Sequence, residues 1–356
     1  MDDRGSLYSA IVSTTAAFII SLWIHYPNFN FSFYSDIVWF WYRVEVAGGK
    51  IPYIEYNFEY PVISGLIVYL ASLAGSIEGY YLVISLIIYL CLIGSLILTL
   101  KIAGNTDRVL MFTVFTSSFI IYSVYSFDWI GSFLLLLSIY LFYRKLTISG
   151  FMLGLAGATR IIPLICILAF ISDIRELRGK AKYVLATILG MLTPNIYFLA
   201  KNFNGAIYPY IYQATWRVED SWLAIVPFNH QLVSLIVMVI MIAVVMFKWG
   251  GSIMYKCGLL LFTFMISSYK FPPQYFIQLL PFSALITRKY PAFIIADLLN
   301  SAIILGWFTP SFSLGNPWII SSPVQWCAIA RQAILLYIVI DSLWPSLKLK
   351  YSPKHG

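Results

Sequence analysis

Residues 149–171 read SGFMLGLAGATRIIPLICILAFI. The stretch is almost unbroken apolar sequence with one charge, Arg160, near its middle. At 23 residues it exceeds the roughly 20 needed to cross the hydrocarbon core as a helix. Yet Arg144 and Lys145 precede it and Arg175–Lys182 follow it, and basic residues favour the cytoplasmic side. With both flanks inside, a single crossing is ruled out. The run must enter and return as two half-helices. Pro163 removes a backbone donor, so the break is predicted within Thr159–Pro163. Half-spanning helices are tolerated where they line protein or a water-filled cavity. The charge pattern therefore predicts a cavity with Arg160 near its floor.

The rest of the chain has the same character. Of 356 residues, 60% are hydrophobic and 11% charged, against about 45–50% apolar in soluble domains. Further apolar runs cover Leu7–Ile24, Pro61–Ser76, Tyr80–Leu100, Val109–Tyr122, Trp129–Tyr143, Tyr183–Ala200, Gln231–Phe247, Ile253–Ser267, Pro272–Thr287, Ala292–Phe308 and Val324–Trp344. They lack the alternation of a transmembrane barrel. The expected fold is an all-α polytopic membrane protein. It has about ten full transmembrane helices, plus half-spanning or re-entrant helices at Ser149–Ile171 and Pro61–Ser76. Residues 1–356 form one membrane-embedded domain with no separate soluble domain. Leu7–Ile24 lacks a small-residue cleavage site and reads as a retained anchor.

The net charge of +8 reflects basic residues on the cytoplasmic side, and no nucleic-acid partner is expected. Clusters at Lys101/Arg108, Arg144/Lys145, Arg175–Lys182, Lys248/Lys256, Arg288/Lys289 and Lys348–Lys354 place both termini in the cytoplasm. Cys91, Cys166, Cys257 and Cys327 lie in or beside apolar runs and read as packing residues. His25, His230 and His355 are scattered and suggest no metal site.

The outward loops are then Ser35–Pro61, Tyr122–Asp128, Lys201–His230, Tyr269–Lys270 and Thr309–Pro323. The first, SDIVWFWYRVEVAGGKIPYIEYNFEYP, carries six charges in 27 residues. Charge at this density beside a bilayer calls for a reason. Within it Ile37, Phe40, Trp41 and Val44 follow the spacing of one apolar helix face, and Gly48-Gly49 ends the helix. An interfacial helix is predicted, with Asp36 at its N-terminus.

Each polar outlier admits a plain reading and a chemical one. Asp36 is either a first-turn helix acid or a general base at the cavity mouth, taking a proton from an acceptor hydroxyl. Glu55 and Glu59 solvate the loop in the plain reading. Asp128 caps the next run or faces outward beside the first loop. Arg160 needs a partner if buried; Asp128 could supply it structurally, or a lipid-borne phosphate functionally. Lys270 either snorkels or, with Gln274 and Gln278 one turn apart, binds a phosphate or sugar. Arg217, Glu219 and Asp220 lie among aromatics that suit either sugar stacking or an interfacial plug.

The order of these motifs resembles the GT-C glycosyltransferases that use polyprenyl-phosphate sugars. The nearest likeness is to mycobacterial-type membrane α-mannosyltransferases and the first mannosyltransferase of GPI-anchor synthesis. The likeness is carried by a lone acid in the first outward loop, then Gly49-Lys-Ile-Pro-Tyr and Phe58-Glu-Tyr-Pro. Next come Phe127-Asp-Trp and the glycine-rich Gly150–Pro163, and finally Lys270-Phe-Pro-Pro-Gln-Tyr-Phe; Arg217–Ser221 is a weaker match. It spans roughly Leu7 to Leu285. The resemblance implies transfer of a hexose, mannose at the family level, with inversion. The donor is a polyprenyl- or dolichyl-phosphate sugar, and the acceptor a glycan or glycolipid at the extracellular or lumenal face. Carried over by position, Asp36 is the catalytic base, and Arg160 and Lys270 contact the donor phosphate. Glu59, Asp128, Arg217, Gln274 and Tyr275 complete the set as candidate substrate-binding residues. The first loop lacks the Asp-x-Asp pair of some relatives, so no metal or cofactor is expected.

Three other classes compete. A multispanning transporter or lipid-linked-sugar flippase would use broken helices and buried charges equally well, though no internal repeat is visible. A ligase or polymerase of lipid-linked sugars would carry its key charges in a late outward loop. A structural subunit leaves Asp36, Arg160 and Lys270 unexplained.

Overall fold

A computed structural model describes residues 3–27, 33–248, 250–308 and 317–350, without the side chains of 3–4, 308 and 345–350. The side chains of the Lys348–Lys354 cluster, His355 and most of the Thr309–Pro323 loop lie outside the described residues. Every regular element among the described residues is helical. The chain divides into two compact units, Met1–Trp216 and Arg217–Gly356.

The first unit comprises α1 (Asp3–Ile24), α2 (Asp36–Trp41), α3 (Val44–Ala47), α4 (Val62–Ser72), α5 (Ile77–Ala103), α6 (Thr106–Phe112), α7 (Ser117–Tyr122), α8 (Asp128–Leu141), α9 (Leu146–Thr159), α10 (Ile167–Asp173), α11 (Leu177–Lys201) and α12 (Phe203–Ala214). The second comprises α13 (His230–Lys248), α14 (Ile253–Ser267), α15 (Leu280–Ile286), α16 (Tyr290–Phe308) and α17 (Pro323–Lys350). Six helices among the described residues, α1, α5, α11, α13, α16 and α17, are long and apolar enough to cross a membrane. The other apolar runs form shorter pieces. Val109–Tyr122 divides into α6 and α7 where Thr116 caps the second helix by accepting from the Phe119 amide.

The 149–171 run breaks where its proline predicts. Helix α9 stops at Thr159 and Arg160 is extended (φ −146°, ψ 130°). A 3₁₀ turn over Ile162–Cys166, with Pro163 in its first turn, then leads into α10. Helices α8 and α9 form a hairpin. Near its turn Ser138 and Ser149 each donate to the other's carbonyl at 2.8 Å. Fourteen residues of α8 rise about 21 Å, so Arg144 and Lys145 lie that far from the Asp128–Arg160 end. Helix α11 packs on α9 with backbones nearly touching. A Cβ on Gly154 would sit 2.1 Å from the Thr187 carbonyl oxygen, and one on Gly190 2.1 Å from that of Phe151. Small residues permit such approach between apolar helices.

The first loop departs from the single helix expected. Arg43 adopts an extended backbone (φ −79°, ψ 127°) between α2 and α3. Ile37 and Phe40 are buried as the spacing requires, but Val44, past the break, is exposed. Gly48 and Gly49 do end the second piece, Gly49 at φ 67°. Phe40 packs on Phe58 (5.0 Å between ring centroids) and Tyr60 (5.4 Å), and Tyr60 on Phe127 (5.6 Å). Such pairs contribute about 0.5–1.5 kcal/mol each beyond burial, so the acidic loop rests on an aromatic base.

In the second unit, Pro272–Thr287 is not one α-helix. Pro273–Gln278 is a 3₁₀ helix that leads through Leu279 into α15. Pro272, Pro273 and Pro281 each lack the donor a continuous α-helix would use.

Candidate active site

In the first unit the carboxylate of Asp36 lies at the start of α2. Ser35 caps that helix, accepting from the Val38 amide, and its hydroxyl lies 3.4 Å from the Val124 carbonyl. This fixes α2 to the α7–α8 connection. The Tyr60 hydroxyl donates to Asp36 Oδ2 at 2.5 Å, and the Tyr34 hydroxyl also bonds the carboxylate. Burial among the rings raises the Asp36 pKa to about 6. The Tyr60 bond and the Arg160 charge oppose that rise, Glu59 adds to it, and the Tyr34 bond opposes it.

Tyr60 also faces Arg160, whose guanidinium carbon lies 4.3 Å from the ring centroid. Arg160 Nη2 donates to Asp128 Oδ2 at 2.8 Å and to the Ser126 hydroxyl. Arginine and aspartate are both buried. Sequence reasoning left Arg160 two partners; the structure gives it Asp128. Glu59 is gripped by Arg43, with Nη1 to Oε2 at 2.6 Å and Nη2 to Oε1. Gln213 of α12 donates to the Glu59 carbonyl at 3.1 Å. Of the eight candidates, Asp36, Glu59, Asp128 and Arg160 thus gather in one cluster.

The cluster is braced from below by Tyr53. This buried residue holds a left-handed backbone (φ 68°), unusual for an aromatic side chain. Its hydroxyl donates to the Tyr60 carbonyl at 2.6 Å, and its carbonyl accepts from Asn202 Nδ2 at 2.9 Å. Gly65 and Gly205 make room for it. A Cβ on the first would lie 2.1 Å from the Tyr53 hydroxyl, and one on the second 2.0 Å from its carbonyl oxygen.

The other four candidates belong to the second unit. Glu219 and Lys270 form a short parallel bridge, with Glu219 N–H to the Tyr269 carbonyl at 3.1 Å and Phe271 N–H to the Glu219 carbonyl at 2.9 Å. The Lys270 turn and the loop from Arg217 are thereby joined. Arg217 is exposed and lies over Trp318, 4.6 Å from its centroid. Gln274, Tyr275 and Gln278 are buried. The two glutamines do not share a face, because four residues of 3₁₀ helix rotate about 120° past a full turn.

Tyr34, Tyr60 and Ser126 were not singled out from sequence, although Tyr60 stands inside the Phe58-Glu-Tyr-Pro motif. Arg331 was missed as well. It is fully buried in α17 and donates to Asn300 Oδ1 (2.5 Å) and to the carbonyls of Asp220 (2.8 Å) and Phe271 (2.6 Å). It thus ties both arms of the Glu219–Lys270 bridge to α16 and α17. A charge inside the Val324–Trp344 run was the available signal, the same one that marked Arg160. Burial, with the neighbouring Glu219 charge, holds Asp220 well above the usual carboxylate range.

What the first cluster can do chemically is hold one half-buried carboxylate at a defined angle, ionised at neutral pH and ready to accept a proton. Comparison with protein-family models, with curated proteins and with solved structures finds no match to this chain.

Proposed function

We propose that the protein is an integral-membrane, inverting glycosyltransferase of GT-C-like architecture. It moves a hexose, mannose by resemblance, from a polyprenyl- or dolichyl-phosphate donor to a lipid-linked or glycan acceptor. One observation carries this: Asp36, early in a membrane-embedded chain, is held by two tyrosine hydroxyls with a pKa of about 6, in the range where a general base is effective near neutral pH. In the reaction Asp36 takes the proton of the acceptor hydroxyl. The acceptor oxygen then bonds to the anomeric carbon from the face opposite the phosphate. The bond from that carbon to the phosphate oxygen breaks, and the lipid phosphate leaves with the electron pair. A positioned base contributes about 10²–10⁴-fold. Positive charge from Arg160 offsets the negative charge of the departing phosphate. With Asp128 and Ser126 on its edge and Tyr60 on its face, Arg160 contributes chiefly its field.

The positive-inside pattern supports about ten crossings, cytoplasmic termini and an active site on the outer face. The α8–α9 hairpin agrees in sense, since its basic turn lies at the end opposite the Asp36 cluster. The broken α9–α10 segment also favours a second reading, a transporter or flippase.

The test is reconstitution in liposomes with a panel of polyprenyl-phosphate sugars and candidate acceptors. Transfer is expected from one of them and lost in Asp36→Asn. Transfer that survives Asp36→Asn would remove the base. Lipid or sugar movement without transfer would favour the second reading.

A further inference from the structure

Tyr60 joins three other residues of this cluster. Its hydroxyl reaches Asp36 (2.5 Å), its ring carries the Arg160 guanidinium (4.3 Å), and its carbonyl is held by Tyr53 (2.6 Å). The residue is therefore fixed at three points, from three parts of the chain. A cation against the ring face draws electron density from the phenol and makes its O–H a stronger donor. A stronger donor favours the charged form of its carboxylate acceptor. We propose that Tyr60 is the positioning residue that keeps Asp36 ionised in its aromatic surroundings, by passing the pull of Arg160 to the carboxylate through its own hydroxyl.

The other groups around Asp36 do not replace it. Tyr34 precedes α2 and offers a second hydroxyl, and its ring packs on Trp39 and Tyr125 (6.0 and 5.7 Å). Tyr125, from the α7–α8 connection, lends its carbonyl to the Ile37 amide at 3.4 Å. Glu59 repels the charge on Asp36, and Arg43 is taken by Glu59. Asp128 lies behind Arg160 and draws on the same guanidinium. Tyr60 touches both the carboxylate and the arginine.

The catalytic meaning of the assignment rests on Asp36 being the base, but its test needs no substrate. Infrared difference spectroscopy on the full-length protein in lipid nanodiscs can follow the Asp36 carboxyl through a pH titration, with Asp36→Asn identifying the band. The wild-type midpoint is expected near 6. Tyr60→Phe keeps the ring under Arg160 and deletes only the hydroxyl. It should raise the midpoint by about one to two units, a ten- to hundredfold gain in proton affinity. Tyr34→Phe should raise it less. 3-Fluorotyrosine placed at position 60 is nearly isosteric and a stronger donor, so it should lower the midpoint, and it keeps the test open if Tyr60→Phe does not fold. Opposite shifts from these two changes are the signature of the relay, which a merely structural tyrosine would not give. A midpoint unmoved by both, shifts in the same direction, or a larger response to Tyr34→Phe would overturn the proposal. Loss of sugar transfer in the panel assay with these shifts intact would instead count against the glycosyltransferase alone.

Discussion

Removing Asp128 should be among the most damaging single changes near the cluster, and its size can be worked out. The Asp128 and Arg160 side chains are 3% and 5% exposed and meet at 2.8 Å. Deleting one partner of a buried pair costs about 3–5 kcal/mol, because the remaining charge is stranded. Two groups soften the loss in Asp128→Ala. Ser126 still accepts from the guanidinium, and the Tyr60 ring still lies against it, an attraction of up to about 2 kcal/mol. The expected destabilisation is therefore at the lower end, about 3 kcal/mol. Arg160→Met should cost at least as much. The double variant strands no charge and should fall short of the sum of the singles by about 2 kcal/mol, within the range usual for directly paired groups. Equilibrium unfolding in mixed micelles, followed by tryptophan fluorescence, measures all three. A loss below about 1 kcal/mol for Asp128→Ala, the size of an exposed pair, or strict additivity in the double variant, would refute the reasoning.

The Asp36 carboxylate should make stability depend on pH. Its folded pKa is raised from an ordinary 3.8 to about 6, so the folded protein binds this proton more tightly than the unfolded chain. The stabilisation is fully present below about pH 4, is lost as pH rises through 6, and is absent above. Wild type minus Asp36→Asn, in unfolding free energy across that window, should show this fall; a flat difference would contradict it. Transfer activity should rise through about pH 6 on its acid side. In the second unit, Arg331→Lys should destabilise by about 3 kcal/mol and open the 217–222 loop to protease. An ammonium cannot reproduce the planar fork that serves Asn300, Asp220 and Phe271 together. Wild-type stability and protease resistance in that variant would contradict the assignment.

Legibility in the sequence followed the range of the forces involved. Helix, apolar character and the break before Pro163 are local matters of composition and backbone chemistry, and all could be read directly. Arg160 stood out because an isolated charge in an apolar run must be paired, and Asp128 was the structural partner considered for it. The grip of Arg43 on Glu59 could not be read, since it joins residues 16 positions apart through a loop with no periodicity. That grip accompanies the break between α2 and α3 and explains why Val44 left the apolar face assigned to it. The glutamine pair failed for a different reason. Helical spacing was assumed at α-helical pitch, but adjacent prolines favoured the tighter turn. Arg331 was legible in principle and passed over, as its run is long enough to look like an ordinary span. Tyr60 stood in a quoted motif, but nothing local distinguishes a tyrosine that touches a carboxylate from one that fills a core.

The seat of Tyr53 has a consequence for how this chain can vary over evolutionary time. Positions 53, 65 and 205 occupy one small volume, and two of them have no side chain at all. A lone methyl added at Gly65 would collide with the ring and hydroxyl of the tyrosine, and one at Gly205 with the carbonyl of residue 53. Positions 53 and 65 are therefore expected to drift as a pair, whereas position 205 should stay glycine for as long as the backbone at 53 keeps its place, whatever side chain stands there.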